Sequence, residues 1–313
     1  MTAAGSIRIG TRASLLAMSQ SRQVADALAA AHEGLSVELV QMVTRGDTTH
    51  GPLTEVGGKG LFTAELEAAL RSGEVDLAVH SAKDLPADMD MDLVMAAVPQ
   101  RADARDALIS PGGGSVAELP AGAVVGTGSP RRAVQLLALR PDLTIAPIRG
   151  NIDTRMRKAL AGRGEAGRLD AVVLAMAGLC RSGLLDPNRR NICPLEIENF
   201  IPAAGQGSLV VQAATGNSRA RLVAASLDDE PSRQALEAER MILRALGAQC
   251  RSCIAVHISR HGEGWRALAM AAREDGSGAV RATAVADAAG LAGNIILDSL
   301  RRQGAEELLR LDE

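Results

Sequence analysis

Apolar and polar positions follow two different periods along the first two thirds of this chain. Short apolar runs typical of β-strands, such as "SIRIG", "LSVELVQMV" and "LDAVVLAM", alternate with stretches in which apolar residues recur at helical spacing. The pattern predicts helices over residues 13–31, 60–72, 130–140, 152–161 and 231–247. Alternating strands and helices are typical of parallel sheets covered by helices, so we predict an α/β fold.

One local arrangement occurs twice. The segments "RIGTRASLLAMSQ" and "VVGTGSPRRAVQL" each run from a strand through a glycine–threonine turn, a hydroxyl residue and arginine into a helix. Two similar α/β lobes would explain this repetition, with a helix N-terminus of each lobe directed into a shared cleft. Helix N-termini carry unpaired N–H groups and a partial positive charge, and therefore suit anions.

The pattern changes from about residue 218, where a helix is followed by three strand-like runs and a helix over roughly 291–310. These elements predict a third, smaller α+β domain. The stretches "VPQRADARD" and "FIPAAGQG" are the expected crossings between the first two lobes. The pattern alone leaves open whether the first lobe is discontinuous.

Composition narrows the classes of function. With aromatic residues at 1%, no tyrosine and a formal net charge of -3, the 313-residue chain lacks the features by which proteins bind nucleic acids. The N-terminus shows no secretion signal and no apolar run is long enough to span a bilayer, so we expect a cytoplasmic protein without a membrane partner. The cysteines of such a protein are expected to be reduced thiols; they are Cys180, Cys193, Cys250 and Cys253.

Candidate chemistry lies where predicted strands end. Lys83 and Asp84 precede a proline turn, a position that suits either an ordinary turn or ligand binding at the carboxyl edge of a sheet. His80, just before them, is expected to be a hydrogen-bonded structural residue. Arginines follow four separate strands, and the guanidinium group binds carboxylates or phosphates through paired hydrogen bonds; they are Arg12, Arg131 with Arg132, Arg149 and Arg181. Two arginines at a helix start would crowd the positive end of the dipole unless an anion lies between them.

Other motifs match known sites less well. "GTGSPRR" has Arg131 where a dinucleotide fingerprint requires its third glycine, and Lys59 is followed by glycine rather than by the hydroxyl residue of a phosphate loop. Cys253 and His257 are too close in sequence for a zinc finger, so we predict no metal. Cys250 is then either a structural thiol or a covalent attachment point.

A series of ordered motifs covers nearly the whole chain and resembles the porphobilinogen deaminase family: "RIGTRASLLA", "GGKGLF", "DLAVHSAKDLP", "VGTGSPRRAVQL", "RGNIDTR", "LAMAGLCRSG", "IPAAGQGSL" and "LGAQCRSCIAV". The resemblance implies a transferase of porphyrin biosynthesis that joins four porphobilinogen molecules head to tail, with loss of ammonia, into the linear tetrapyrrole hydroxymethylbilane. It also implies a dipyrromethane cofactor, attached through a thioether to Cys250 as a primer, and a monomer.

The resemblance further implies two periplasmic-binding-protein-like, doubly wound lobes and a smaller C-terminal α+β domain that carries the cofactor cysteine. We accordingly place lobe 1 at residues 1–100 and 200–217, lobe 2 at 101–199 and the C-terminal domain at 218–313.

Residue roles also follow from the resemblance. Asp84 is the implied catalytic carboxylate, which stabilises the cationic azafulvene formed when ammonia leaves. The residues expected to bind the cofactor are Ser14, Lys83, Asp84, Thr127, Ser129, Arg131, Arg132 and Arg155. Those expected to bind substrate are Arg12, Gln20, Arg149, Arg155 and Arg181. Lys59 and Phe62 are expected in a mobile loop over the cleft.

The chain departs from the family pattern at a few positions. "AQC" stands where the family commonly has two glycines before the cysteine, and Cys253 replaces a usual proline. We predict that Cys250 alone carries the primer. Gln212 replaces a usual glutamate and Glu55 stands where some relatives have lysine, and neither is expected to be essential. A two-lobed binding protein for small anions is the rival interpretation, but it gives no use to Asp84 or Cys250.

Overall fold

The computed structural model describes residues 5–44, 63–161, 169–185, 191–248 and 252–310. The strands are β1 (Gly5–Arg12), β2 (Leu35–Met42), β3 (Leu77–Ser81), β4 (Leu93–Ala97), β5 (Asp106–Ile109), β6 (Val124–Gly126), β7 (Thr144–Ala146), β8 (Ala171–Ala175), β9 (Ile192–Pro194), β10 (Leu209–Ala214), β11 (Ile254–His261), β12 (Gly264–Ala272) and β13 (Ala279–Ala286). The helices are α1 (Leu15–Ala31), α2 (Ala64–Ser72), α3 (Pro130–Leu139), α4 (Ile152–Leu160), α5 (Met176–Arg181), α6 (Ser218–Ala224), α7 (Glu230–Ala245), α8 (Ala289–Arg302) and α9 (Ala305–Leu308).

The chain divides into two compact units. Unit 1 comprises Met1–Arg101 and Ser208–Arg233, and unit 2 comprises Ala102–Gly207 and Gln234–Glu313. Unit 1 extends past the predicted boundary at residue 217 because α6 packs against β4 and β10 of its sheet. The separation of the C-terminal segment as a domain of its own stays a prediction.

Unit 1 is built on a five-stranded sheet in the order β2-β1-β3-β10-β4. The strands β2, β1 and β3 are parallel, whereas β10 is antiparallel to both of its neighbours. The helix α1 begins after Ser14, whose hydroxyl accepts a backbone N–H of the first turn, and it packs Val24 and Leu28 with Ile7 and Ile9 of β1. Each such aliphatic side chain contributes about 1.5–3 kcal/mol when it is fully buried, so this face fixes the position of α1 on the sheet.

Unit 2 contains a second five-stranded sheet, in the order β7-β6-β8-β5-β9. Here β7, β6 and β8 are parallel, while β5 is antiparallel to β8 and β9. The helix α3 begins with Pro130 at its first position, where the missing N–H costs nothing. Leu136 of this helix packs with Leu108 of β5 and with Phe200, which is 1% exposed.

The C-terminal part of unit 2 forms an antiparallel sheet in the order β11-β12-β13. The helix α8 covers this sheet, with Ile296 and Leu300 packed in the same cluster as Trp265. A further apolar cluster contains Val134 of α3, Cys253 just before β11, and residues of the C-terminal sheet such as Ala255 and Leu268. This cluster explains why the C-terminal segment shares a compact unit with the second sheet.

The predicted α/β fold class is confirmed. The prediction of parallel sheets is wrong in part, because both five-stranded sheets also contain antiparallel strands. The antiparallel strands β5, β9 and β10 were not predicted. A stretch assigned to a crossing overlaps β5 and another ends just before β10, and β9 is only three residues long. The predicted helix over 291–310 is two helices, because Gly304 has a φ of 83° between them. Among the described residues, no helix has both the length and the apolar character needed to cross a bilayer.

Gly207 offers a test of backbone packing in unit 2. It has a φ of +89°, and a Cβ atom built on it would lie 2.5 Å from the carbonyl oxygen of Ala102. We expect Gly207→Ala to destabilise this unit by about 3 kcal/mol, because it adds left-handed strain and a backbone clash. Urea unfolding followed by the fluorescence of Trp265, the single tryptophan, measures this loss.

Gly112→Ala is the matched control in the same unit. A Cβ atom at Gly112 meets nothing within 4 Å. The variant should therefore keep the wild-type free energy of unfolding to within about 0.5 kcal/mol. Equal midpoints for the two variants would contradict the expected clash.

Candidate active site

In unit 1, predicted site residues collect at one edge of the sheet. The strands β1 and β3 are adjacent and parallel, so the residues that follow them lie at the same edge. The helix α1 is tied to this edge because the amide of Gln20 donates to Ser81 Oγ at 2.9 Å. The residues placed here are Arg12, Ser14, Gln20, Lys83 and Asp84.

Lys83 and Asp84 lie in a short 3-10 turn that follows β3 (Ala82–Asp84). The turn is held by two buried residues, Ala82 and Leu85, and the N–H of Ala82 donates to the carbonyl of Ser208 at 3.0 Å. Lys83 and Asp84 between these anchors are exposed. The local fold therefore presents a cation and a carboxylate side by side on a fixed backbone.

His80 is a structural residue, as predicted. It is 6% exposed, and its Nε2 donates to Gln212 Oε1 at 3.0 Å. Burial lowers the pKa of His80 to about 4, the hydrogen bond to Gln212 opposes this shift, and the charge of Arg12 adds to it. His80 is therefore neutral at physiological pH, so among the predicted site residues that the structure describes at this edge, Arg12 and Lys83 are the cationic ones.

In unit 2, three parallel strands bring the predicted threonine, serine and arginine residues of this unit to the carboxyl edge of the sheet. Thr127 and Ser129 follow β6, and the hydroxyl of Thr127 accepts the N–H of Ser129 at 3.1 Å. Ser129 occupies the N-cap position of α3, as expected, although its side chain makes no capping hydrogen bond. The arginines at this edge are Arg131 and Arg132 after β6, Arg149 and Arg155 after β7, and Arg181 after β8.

The three arginines after β7 and β8 differ in how they are held. Arg149 is exposed. The Nε of Arg155 donates to the carbonyl of Gly150 at 2.7 Å, and Arg181 Nη2 donates to the carbonyl of Gly207 at 2.8 Å. Burial lowers the pKa of Arg181 below the usual arginine value. Backbone carbonyls thus orient two of these guanidinium groups without neutralising their charge.

Arg131 and Arg132 are held differently, because both are buried against a carboxylate of the chain itself. Asp106 is fully buried, and its Oδ2 accepts from Arg131 Nη2 at 2.8 Å. Its Oδ1 accepts from Nε and Nη2 of Arg132 at 3.1 and 2.6 Å. The anion expected between the two arginines is therefore Asp106. Whether these arginines also bind cofactor carboxylates stays a prediction.

The charges in this cluster do not balance. Two guanidinium groups, 5% and 7% exposed, share the one carboxylate of Asp106. Burial lowers the pKa of Arg131, the Asp106 carboxylate opposes that shift, and the Arg132 charge adds to it. Arginine nevertheless stays protonated in proteins, so the three side chains carry an excess positive charge that suits a further anion.

Sequence reasoning missed Asp106. The available signal was an aspartate directly before the apolar run "ALI", since a charge that opens a buried strand must be paired. We assigned that stretch to a crossing, and the strand beginning at Asp106 was therefore overlooked. Gln206 was also missed, and its amide donates to Asp106 Oδ1 at 2.9 Å.

The thiols differ in accessibility. Cys253 is 1% exposed, and burial raises its pKa to about 12. Since the thiolate is the nucleophile, burial and the raised pKa both disfavour reaction at Cys253, whereas Cys180 is exposed. Cys250, Lys59 and Phe62 lie outside the described residues. The described part of the chain contains no cluster of three or more side chains suited to hold a metal ion.

Comparison with known proteins identifies the family of the chain. Residues 7–221 match the family described as "Porphobilinogen deaminase, dipyromethane cofactor binding domain". A porphobilinogen deaminase of Roseiflexus castenholzii is 45% identical over 97% of this chain and 98% of its own length. One from Streptococcus sanguinis is 44% identical over 86% of this chain and 87% of its own length. Among solved structures, the methionine-binding protein MetQ covers 70% of this chain and 89% of its own, with 14% identity and a TM-score of 0.43. The extent of the family match and the identity to these relatives show that the chain belongs to the porphobilinogen deaminase family.

Proposed function

We propose that this chain is a hydroxymethylbilane synthase, which joins four porphobilinogen molecules head to tail with loss of ammonia. Family membership gives the reaction. The observation that carries the assignment to residues is the collection of arginines at the carboxyl edge of the parallel strands in unit 2. A linear chain of pyrroles with acidic side arms requires such a series of cationic donors.

The substrate contacts are assigned from the chemistry of porphobilinogen, which carries an acetate and a propionate group. In unit 2, Arg149, Arg155 and Arg181 are proposed to bind these carboxylates. The backbone contacts of Arg155 and Arg181 support this role, because a guanidinium that is already oriented loses less freedom on binding. In unit 1, Arg12 and Gln20 are proposed to bind substrate at the end of β1 and on α1.

Asp84 is proposed as the catalytic carboxylate of unit 1. Loss of ammonia leaves a positive charge on the reacting pyrrole, and a fixed negative group stabilises such a charge as it develops. The buried anchors on both sides of the turn support this role, since they fix the backbone of Asp84 before substrate arrives. Lys83 beside it is proposed to bind a side-arm carboxylate.

The residues of unit 2 fit a dipyrromethane cofactor. The excess positive charge of the cluster formed by Arg131, Arg132 and Asp106 suits the acidic side arms of that group, and the hydroxyls of Thr127 and Ser129 could donate to them. Cys250 would hold the cofactor through a thioether. When bound, the dipyrromethane supplies the pyrrole terminus that is extended, and the residues of the chain bind and orient it.

The proposed enzyme works as a monomer in the cytoplasm, with porphobilinogen as its small-molecule partner and neither nucleic acid nor a membrane as a partner. The near absence of aromatic residues and the net charge of -3 support the part of this proposal that excludes nucleic acid as a partner. For a monomer, we expect light scattering to show a single species with the mass of one polypeptide, 32.4 kDa, plus the mass of the bound cofactor.

Asp84→Ala tests the proposed catalytic carboxylate. We expect kcat to fall by about 10²–10³-fold, because the charge that opposes the developing cation is lost, while the unfolding midpoint stays unchanged because Asp84 is exposed. Ammonia release from porphobilinogen and the uroporphyrin absorbance after oxidation measure the rate. Asp88→Ala removes an exposed carboxylate of the same loop and should leave the rate unaltered. Undiminished turnover by Asp84→Ala would refute the assignment.

Substitution of the two neighbouring cysteines tests the attachment point. The intact mass of wild-type protein should exceed the polypeptide mass by one dipyrromethane. Cys253→Ala should keep this excess, because the buried thiol with its raised pKa is no nucleophile, and Cys250→Ser should lose it. Peptide mapping that places the primer on Cys253 would overturn this proposal.

A further inference from the structure

Asp106 is held by the sheet of unit 2 rather than by a loop. It begins β5, where it pairs with Ala175 of β8, and its carbonyl accepts the N–H of Leu195 at 2.8 Å. Its side chain is fixed as well, because Gln206 Nε2 donates both to Asp106 Oδ1 at 2.9 Å and to the carbonyl of Ala104 at 2.8 Å. Because both its backbone and its side chain are held in place, the Asp106 carboxylate can fix the orientation of the side chains that donate to it.

Both guanidinium groups take their orientation from this carboxylate and from one backbone carbonyl each. Arg131 donates to Asp106 Oδ2 and, through Nη1, to the carbonyl of Ile201 at 2.7 Å. Arg132 donates to Asp106 Oδ1 and, through Nη1, to the carbonyl of Val173 at 3.0 Å. A guanidinium carries more N–H groups than these contacts occupy. The remaining groups are therefore presented in a fixed direction, which lowers the entropic cost of binding an anion.

The charge of Asp106 matters as much as its geometry. Two adjacent guanidinium cations in a buried site repel each other, and removing the carboxylate that they share would take away the negative charge that compensates them. With Asp106 present, the cluster keeps a modest positive excess that matches a single carboxylate side arm. With Asp106 absent, the arginines would have to turn toward solvent or recruit anions from it.

We propose that Asp106 is a positioning residue for the primer: it orients Arg131 and Arg132 so that they can bind an acidic side arm of the dipyrromethane. This inference rests on the proposed function. It assigns to Asp106 no contact with the primer or with substrate, and it gives Gln206 the role of holding Asp106 in place.

Asp106→Asn, which keeps the shape and removes the charge, is the decisive variant. We expect the amount of primer per folded molecule to fall by at least about tenfold, because the guanidinium groups lose the partner that orients them. Intact mass spectrometry and the colour reaction of pyrroles with dimethylaminobenzaldehyde in acid both measure primer content independently of activity. Circular dichroism and the unfolding midpoint report whether the protein is folded.

Glu239→Gln is the matched control. Glu239 is also a fully buried carboxylate of unit 2, but it accepts backbone N–H groups from Gly205 at 2.6 Å and Ile258 at 2.8 Å. We expect this variant to lose stability and to keep its primer. A folded Asp106→Asn protein with full primer content, or equal losses of primer in the two variants, would overturn the positioning role.

Gln206→Leu decides the matter if Asp106→Asn yields no folded protein. It leaves every charge in place and removes one hydrogen bond from Asp106 Oδ1, so primer content should fall by about twofold or more relative to Glu239→Gln. Primer content equal to that control would contradict the inference. The wild-type protein separates the two levels of the proposal: if it carries no primer and releases no ammonia from porphobilinogen, the proposed function itself is wrong.

Discussion

The interaction on which the rest of this account depends is a buried carboxylate shared by two guanidinium groups. Burial of a charge is tolerated only when the charge is paired and hydrogen-bonded, and Asp106 meets both conditions for Arg131 and Arg132. The carboxylate of Asp106 compensates part of the charge of the two arginines, which allows the three side chains to be buried together. Because one negative charge faces two positive ones, the cluster still attracts anions. A site for acidic pyrrole side arms follows from this imbalance.

Both units use the same structural device to place polar groups. Parallel strands end at a common edge, and the residues that follow them begin a helix or a short turn. In unit 1 this edge presents Arg12, Lys83 and Asp84, and in unit 2 it presents arginines after three strands. Buried Ala82 and Leu85 fix the backbone of the turn that carries Asp84, and backbone carbonyls orient Arg155 and Arg181 before a ligand arrives.

Much of the fold could be predicted from local signals in the sequence. Ser14 before α1 and Pro130 at the start of α3 mark helix starts, and the runs in β3 and β8 are apolar enough to be recognised as buried strands. The antiparallel strand β5 was missed because it has only four residues, and β10 was missed because it follows a glycine-rich stretch that we interpreted as a crossing between lobes. Hydrophobic period carries no information about strand direction, so mixed sheets were not predicted.

The site could be predicted only in part, for a different physical reason. Arginines after successive strands are visible in the sequence, but their partner Asp106 lies 25 residues from Arg131, and such pairing is decided by tertiary packing. The same holds for Cys253, because its burial is decided by tertiary packing and not by the local sequence.

A crystal structure of the protein isolated with its dipyrromethane tests the central claim most directly. We predict that an acidic side arm accepts hydrogen bonds from Arg131 or Arg132 while both arginines still donate to Asp106. Side arms bound elsewhere, with the two guanidinium groups contacting Asp106 and no part of the cofactor, would contradict it.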